Sequence, residues 1–99
     1  MMGIGFYKIS GDSMLPYYRP GDFVLTYRCS LNKLKRGNAV VVKHNHFGII
    51  IKRINRIDAS SSLTLIGDNS LRSTDTEALG EINFKQVLGK VIFRVAAPC

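Results

Sequence analysis

Ser13 and Lys52 are the two residues whose settings could do covalent chemistry. Ser13 stands in Ser10-Gly11-Asp12-Ser13-Met14-Leu15-Pro16, a run of small and turn-forming residues. Its hydroxyl is a poor nucleophile until a base removes the proton. Lys52 stands in Gly48-Ile49-Ile50-Ile51-Lys52-Arg53-Ile54. In water a lysine, with pKa about 10.4, is neutral in roughly one molecule in a few thousand at pH 7. Desolvation that lowers this by about two to three units leaves several per cent neutral, enough for a general base. The pair therefore points to nucleophilic attack by a serine activated by a lysine.

Elements must bring these residues together, and the chain reads as strands. Residues 23–27, Phe-Val-Leu-Thr-Tyr, are β-branched and aromatic and follow the turn Arg19-Pro20-Gly21-Asp22. Further strands are predicted over 39–43, 47–57, 62–66 and 87–95, with a hairpin loop at His44-Asn45-His46 and a bulge at Gly89. No window sustains a helical apolar period, so helix is limited to about one turn after Ser13, bounded by Pro16 and Pro20. The expected fold class is all-β: coiled sheets or a small, partly closed barrel. On the 47–57 strand Lys52 shares a face with Ile50 and Ile54, and Arg53 shares the other with Ile49, Ile51 and Asn55.

Ninety-nine residues suffice for a single domain, residues 1–99. No apolar run approaches the roughly 20 residues of a membrane span, and the segment before Ser10 is too short for a signal peptide. The expectation is a cytoplasmic protein without an integral membrane anchor. Cys29 and Cys99 define no disulfide framework in such a chain. The net charge of +7, from 14 basic and 7 acidic residues, favours acidic partners. Lys33-Leu34-Lys35-Arg36 is its densest patch and reads as a solvated turn. Without helix-turn-helix or zinc-finger spacing, and without interleaved basic and aromatic residues, nucleic acid is not an expected partner. His44 and His46 have too few ligands close by in sequence for a metal site and read as a polar loop, so neither metal nor cofactor is expected.

In their order and spacing, four boxes resemble those of the signal-peptidase and LexA-type superfamily of Ser-Lys peptidases. Ser10-Gly11-Asp12-Ser13-Met14-Leu15-Pro16 resembles its nucleophile box. Pro20-Gly21-Asp22-Phe23-Val24 is similar to the strand lead-in that follows it. Lys52-Arg53-Ile54 resembles the general-base box, and Gly67-Asp68-Asn69-Ser70-Leu71-Arg72-Ser73-Thr74-Asp75 the Gly-Asp-Asn box. Leu79-Gly80 and Val87-Leu88-Gly89-Lys90-Val91 resemble the closing segment. The resemblance implies Ser13 as nucleophile, Lys52 as base and then acid, and Ser73 as the hydroxyl that aims the lysine amine. It implies an oxyanion and substrate pocket around Asp12, Ser13 and Met14, with the Ser13 backbone N–H as one donor. Arg53 and Asp68 match a bracing charged pair, and Pro16 fixes the turn after the nucleophile. Gly11 stands where signal peptidases carry a second oxyanion serine, as in the LexA-type branch, and Glu77 where their last box ends in arginine.

Only twelve residues precede Ser13, too few for the self-cleavage segment of LexA-type proteins. The resemblance thus implies a serine endopeptidase acting in trans on an extended peptide or a protein leader or tail, a maturation protease. The alternative is a LexA-type regulatory or dimerisation module with weak or absent peptidase activity. The C-terminal strand could then pair with a second copy as a homodimer.

Overall fold

The computed structural model describes residues 3–11, 13–69 and 79–96. Seven strands form one antiparallel sheet: β1 (Ile4–Lys8), β2 (Phe23–Tyr27), β3 (Ala39–His44), β4 (Gly48–Ile57), β5 (Ser62–Ile66), β6 (Glu81–Asn83) and β7 (Val87–Val95). Their spatial order is β1-β2-β7-β3-β4-β5-β6, and the sheet does not close. β3, fourth in that order, is Ala-Val-Val-Val followed by Lys-His, and it is buried on both faces. A strand covered on both sides needs a continuous apolar run rather than an alternating one. Alternation along β3 splits the core in two. Val40 and Val42 pack with Ile54, Leu63, Leu65 and Ile82. Val41 packs with Ile9, Met14, Val24 and Ile51.

β7 joins the two halves of the sheet. Residues 87–90 pair with β3, and residues 90–95 pair with β2, Lys90 facing both. The bulge expected at Gly89 falls instead on its neighbours. Gly89 opposes Val41, whereas Leu88 and Ile92 have no opposite residue. Asn55 is likewise the extra residue where β4 meets β5. Bulges add bend and twist, so these three coil the sheet. Gly89 has a different duty. A Cβ there would lie 2.8 Å from both Cβ and Oγ1 of Thr26. On the other side Thr26 pairs with Gly5, where a Cβ would also strike its hydroxyl. Two glycines thus leave room for one buried threonine between strands.

The predicted strands 23–27, 62–66 and 87–95 form with those limits. The hairpin after β3 differs from expectation. His44 ends β3 and is buried, and Phe47 belongs to the turn 45–47 rather than to β4. Gly48, at φ +74°, closes that three-residue loop in the left-handed conformation that glycine accepts without strain. β1 was not expected because its outward residues Ile4 and Phe6 remain exposed and leave no amphipathic pattern. Cys29 is buried and free. Asp12, Ser73, Glu77 and Cys99 lie outside the described residues.

Gly89→Ala is expected to destabilise the fold by about 1–3 kcal/mol, because a β-branched neighbour on a paired strand must give way. Thr26 Oγ1 is buried and has no hydrogen-bond partner among the described residues. Thr26→Val, of the same shape, is therefore expected to leave stability unchanged or raise it by about 1 kcal/mol. Urea midpoints of the two variants against the parent check both.

Candidate functional site

The turn that carries Ser13 is held from both ends. Before it, Ile9 N donates to Asp22 O at 2.7 Å and Gly21 N donates to Ile9 O at 2.9 Å. Gly11, at φ +76° with open space around it, starts the reversal. After Ser13, the N–H groups of Tyr17 and Tyr18 both donate to Met14 O at 3.0 Å, which makes the single turn expected there. The Leu15–Pro16 bond within it is cis. Asn69 N donates to Ser13 O at 2.8 Å and ties the turn to the Gly67-Asp68-Asn69 corner after β5. Met14 is 1% exposed and sits in the core cluster with Ile51. It anchors the turn from below and is not among the cavity's lining residues, contrary to its expected place in the pocket wall.

Met14 adjoins Ser13, and Ile51 adjoins Lys52. Packing the first against the second brings the two polar residues to one cavity of about 310 Å³. Ser13 and Lys52 both line it, together with Tyr7 and Lys8 from β1 and with Phe47 and Ile49. Lys52 lies opposite Val40 and shares its strand face with Ile50 and Ile54. It is 3% exposed. Among the described residues no carboxylate pairs with it. Burial therefore acts alone and pushes the amine below the usual lysine value of 10.5.

Arg53, one residue on, points the other way and meets charge. Its Nε donates to Asp68 Oδ1 at 2.8 Å and its Nη2 to Asp68 Oδ2 at 2.7 Å. Nη1 donates to Gly37 O at 2.8 Å, and the guanidinium lies 5.5 Å from the centre of the Tyr17 ring. The bond to Asp68 raises the arginine's proton affinity further. One side chain thus connects β4, the corner after β5, the turn before β3 and the turn that carries Ser13.

Among the described residues, the edge of β4 beside the cavity is open. Ile54 N donates to Asn38 O and Ile54 O accepts from Gly37 N, each at 2.8 Å, so the backbone of Ile54 faces the β3 side. Alternation sends Lys52 and Ile50 the same way and Ile49 and Ile51 the opposite way. The pairing of β4 with β5 begins only at Arg53. Among the described residues, no strand pairs with Ile49 and Ile51 on that edge. Sequence reasoning had identified neither this edge nor the wall residues Tyr7, Lys8 and Phe47, since they meet only through pairing distant in sequence. No group of three or more metal-ligating side chains is assembled among the described residues, and no helix among them is long and apolar enough to cross a membrane.

A family model described as Peptidase S24-like matches residues 3–92, and the chain belongs to that family. No curated protein matches it.

Burial of Lys52 carries a pH signature. The folded amine releases its proton below 10.5, the unfolded one near it. Between those two values the unfolded chain binds more protons, so stability from this group grows as pH rises through the window and is absent below it. Lys52→Met, which removes the charge and keeps the bulk, is expected to raise stability at neutral pH by about 1–3 kcal/mol. It should also flatten the alkaline rise. Denaturant unfolding of parent and variant across that range, taken as a difference, checks this.

Proposed function

We propose that this member of the Peptidase S24-like family is a serine endopeptidase with a Ser13–Lys52 dyad, cutting a leader or tail from another protein. One observation carries the reading: a lysine held 3% exposed, with its proton affinity lowered by burial alone, lines one cavity with the serine. Ion-pairing would have kept that amine protonated; desolvation favours the base.

The chemistry follows from the groups present. An extended peptide lies along the open edge of β4 and bonds to the backbone of Ile49 and Ile51 as an added strand. Lys52 Nζ takes the Ser13 hydroxyl proton as Oγ bonds to the scissile carbonyl carbon. The carbonyl π electrons move to oxygen, and the Ser13 backbone N–H donates to the resulting oxyanion. As that intermediate collapses, the C–N bond breaks and the Lys52 ammonium returns its proton to the departing amine. An acyl ester on Ser13 remains. Lys52 next deprotonates a water that attacks the ester, and the same proton then regenerates the serine. A lysine base has one titrating nitrogen and needs no partner to select a tautomer, unlike histidine. It does need its amine aimed, and the resemblance assigns that to Ser73. Arg53 and Asp68 hold β4 against the nucleophile turn and take no proton.

The test is cleavage of candidate leader peptides by the parent, Ser13→Ala, Lys52→Ala and Lys52→Arg. The expected loss in kcat/KM is about 10³-fold or more for each variant, arginine included because it does not release a proton. The parent's kcat/KM should rise from neutral to alkaline pH as Lys52 becomes neutral. Equal cleavage by parent and the Ser13 and Lys52 variants would remove the assignment.

A further inference from the structure

We propose that His44 is a positioning residue for the cavity, whose Nδ1 lone pair sets the 45–47 turn and thereby places Phe47 against an apolar side chain of the bound peptide. The substrate part of this rests on the peptidase reading; the part concerning the turn does not.

His44 is 6% exposed at the end of β3, with both ring nitrogens engaged. Nε2 lies 2.7 Å from Leu79 O. A carbonyl only accepts, so Nε2 carries the proton. Nδ1 receives the N–H groups of His46 at 3.0 Å and Phe47 at 3.2 Å, and must offer a lone pair. A single neutral tautomer satisfies all three bonds. A second proton, on Nδ1, would aim one N–H at two others and leave the turn without its acceptor.

The same ring faces Phe47, centroid to centroid 4.9 Å. Phe47 is 47% exposed and Ile49 58% exposed, and both border the cavity that holds Ser13 and Lys52. Apolar side chains left bare at the rim of a polar-floored cavity fit a ligand that brings an apolar group. The substrate class is accordingly an extended peptide with a large aliphatic or aromatic residue at the position lying on Phe47 and Ile49.

The groups around His44 leave its tautomer to these bonds. The His46 ring is 6.0 Å away in the same turn. Lys43 precedes His44 and points to the opposite face, Glu81 follows Leu79 by two residues, and Lys85 lies in the 3₁₀ turn Phe84–Gln86 that packs against β3. Among the described residues none of these side chains bonds a nitrogen of the ring.

Two variants separate the arms of the ring on the full chain. In His44→Asn the amide oxygen sits near the place of Nδ1, whereas in His44→Gln the amide nitrogen reaches toward Leu79 O. The first readout needs no substrate: hydrogen-exchange protection of the His46 and Phe47 amides. In the parent both amides should be protected by about tenfold or more over an open turn. His44→Asn should keep that protection and His44→Gln should lose it. The second readout is kinetic, with a leader peptide carrying leucine and the same peptide with serine in its place. For the leucine peptide His44→Gln and Phe47→Ala should raise KM about tenfold with kcat within about twofold, and the serine peptide should show no such difference. Asn and Gln variants alike in protection would overturn the role of His44. Protection as expected with KM unmoved in both variants would overturn its link to the cavity. Protection as expected with no peptide cleaved would support the turn and sink the peptidase reading instead.

Discussion

Everything in this fold is arranged around keeping one amine dry. A buried ammonium without a counter-charge costs several kcal/mol, and the group responds by giving up its proton more readily. Lys52 meets that condition because Val40 lies opposite it and Ile50 and Ile54 flank it on the same face. Water must be excluded from its stem while its tip still borders a cavity. A flat sheet with both faces covered would bury the tip too, and an edge strand would wet it. β4 is neither. Among the described residues, residues 48–52 pair with β3 alone, residues 54–57 pair with β5 alone, and Arg53 pairs with both. Lys52 is the last residue before that change of partner.

The coiling of the sheet makes this position possible. β7 changes partner midway, and the unopposed residues Leu88, Ile92 and Asn55 let the strands bend where a regular ladder would run straight. The edge strand β1 and the first half of β4 both contribute lining to the cavity. Gly5 and Gly89 allow the strands around Thr26 to close up, at the junction that carries this bend.

Two adjacent residues on β4 receive opposite treatment because a strand alternates its faces. Lys52 is buried and has no carboxylate partner among the described residues, whereas Arg53 is given two carboxylate bonds, a carbonyl and an aromatic face. The first has its proton affinity lowered and the second is held in place. The hold on Arg53 also fixes where the Lys52 backbone stands, since one peptide bond separates them. The turn carrying Ser13 is secured in a matching way: buried Met14 lies next to Ser13, and Ser13 O is bonded by Asn69.

Much of this was legible in the chain. β-branched runs bounded by Gly, Pro and Asp located β2, β5 and β7, and strand parity placed Lys52 among isoleucines and Arg53 on the other face. β1 was hidden because its side chains stay largely in water and its pairing is made by backbone. Met14 looked like a pocket wall, but a flexible apolar side chain beside a turn found the core more favourable than the cavity. His44 looked like loop because a histidine's pattern in sequence says nothing about which backbone groups its nitrogens will meet. The sequence by itself determined the strand-rich class and the side of β4 on which each charge falls, since these depend on residue type and a two-residue period. Only the tertiary structure decided that β4 would have a half-open edge, that Met14 would pack on Ile51 to bring Ser13 and Lys52 to one cavity, and that His44 would brace the turn carrying Phe47. Those outcomes come from pairings between residues far apart in the chain, which depend on the free energy of the assembled sheet rather than on any local pattern.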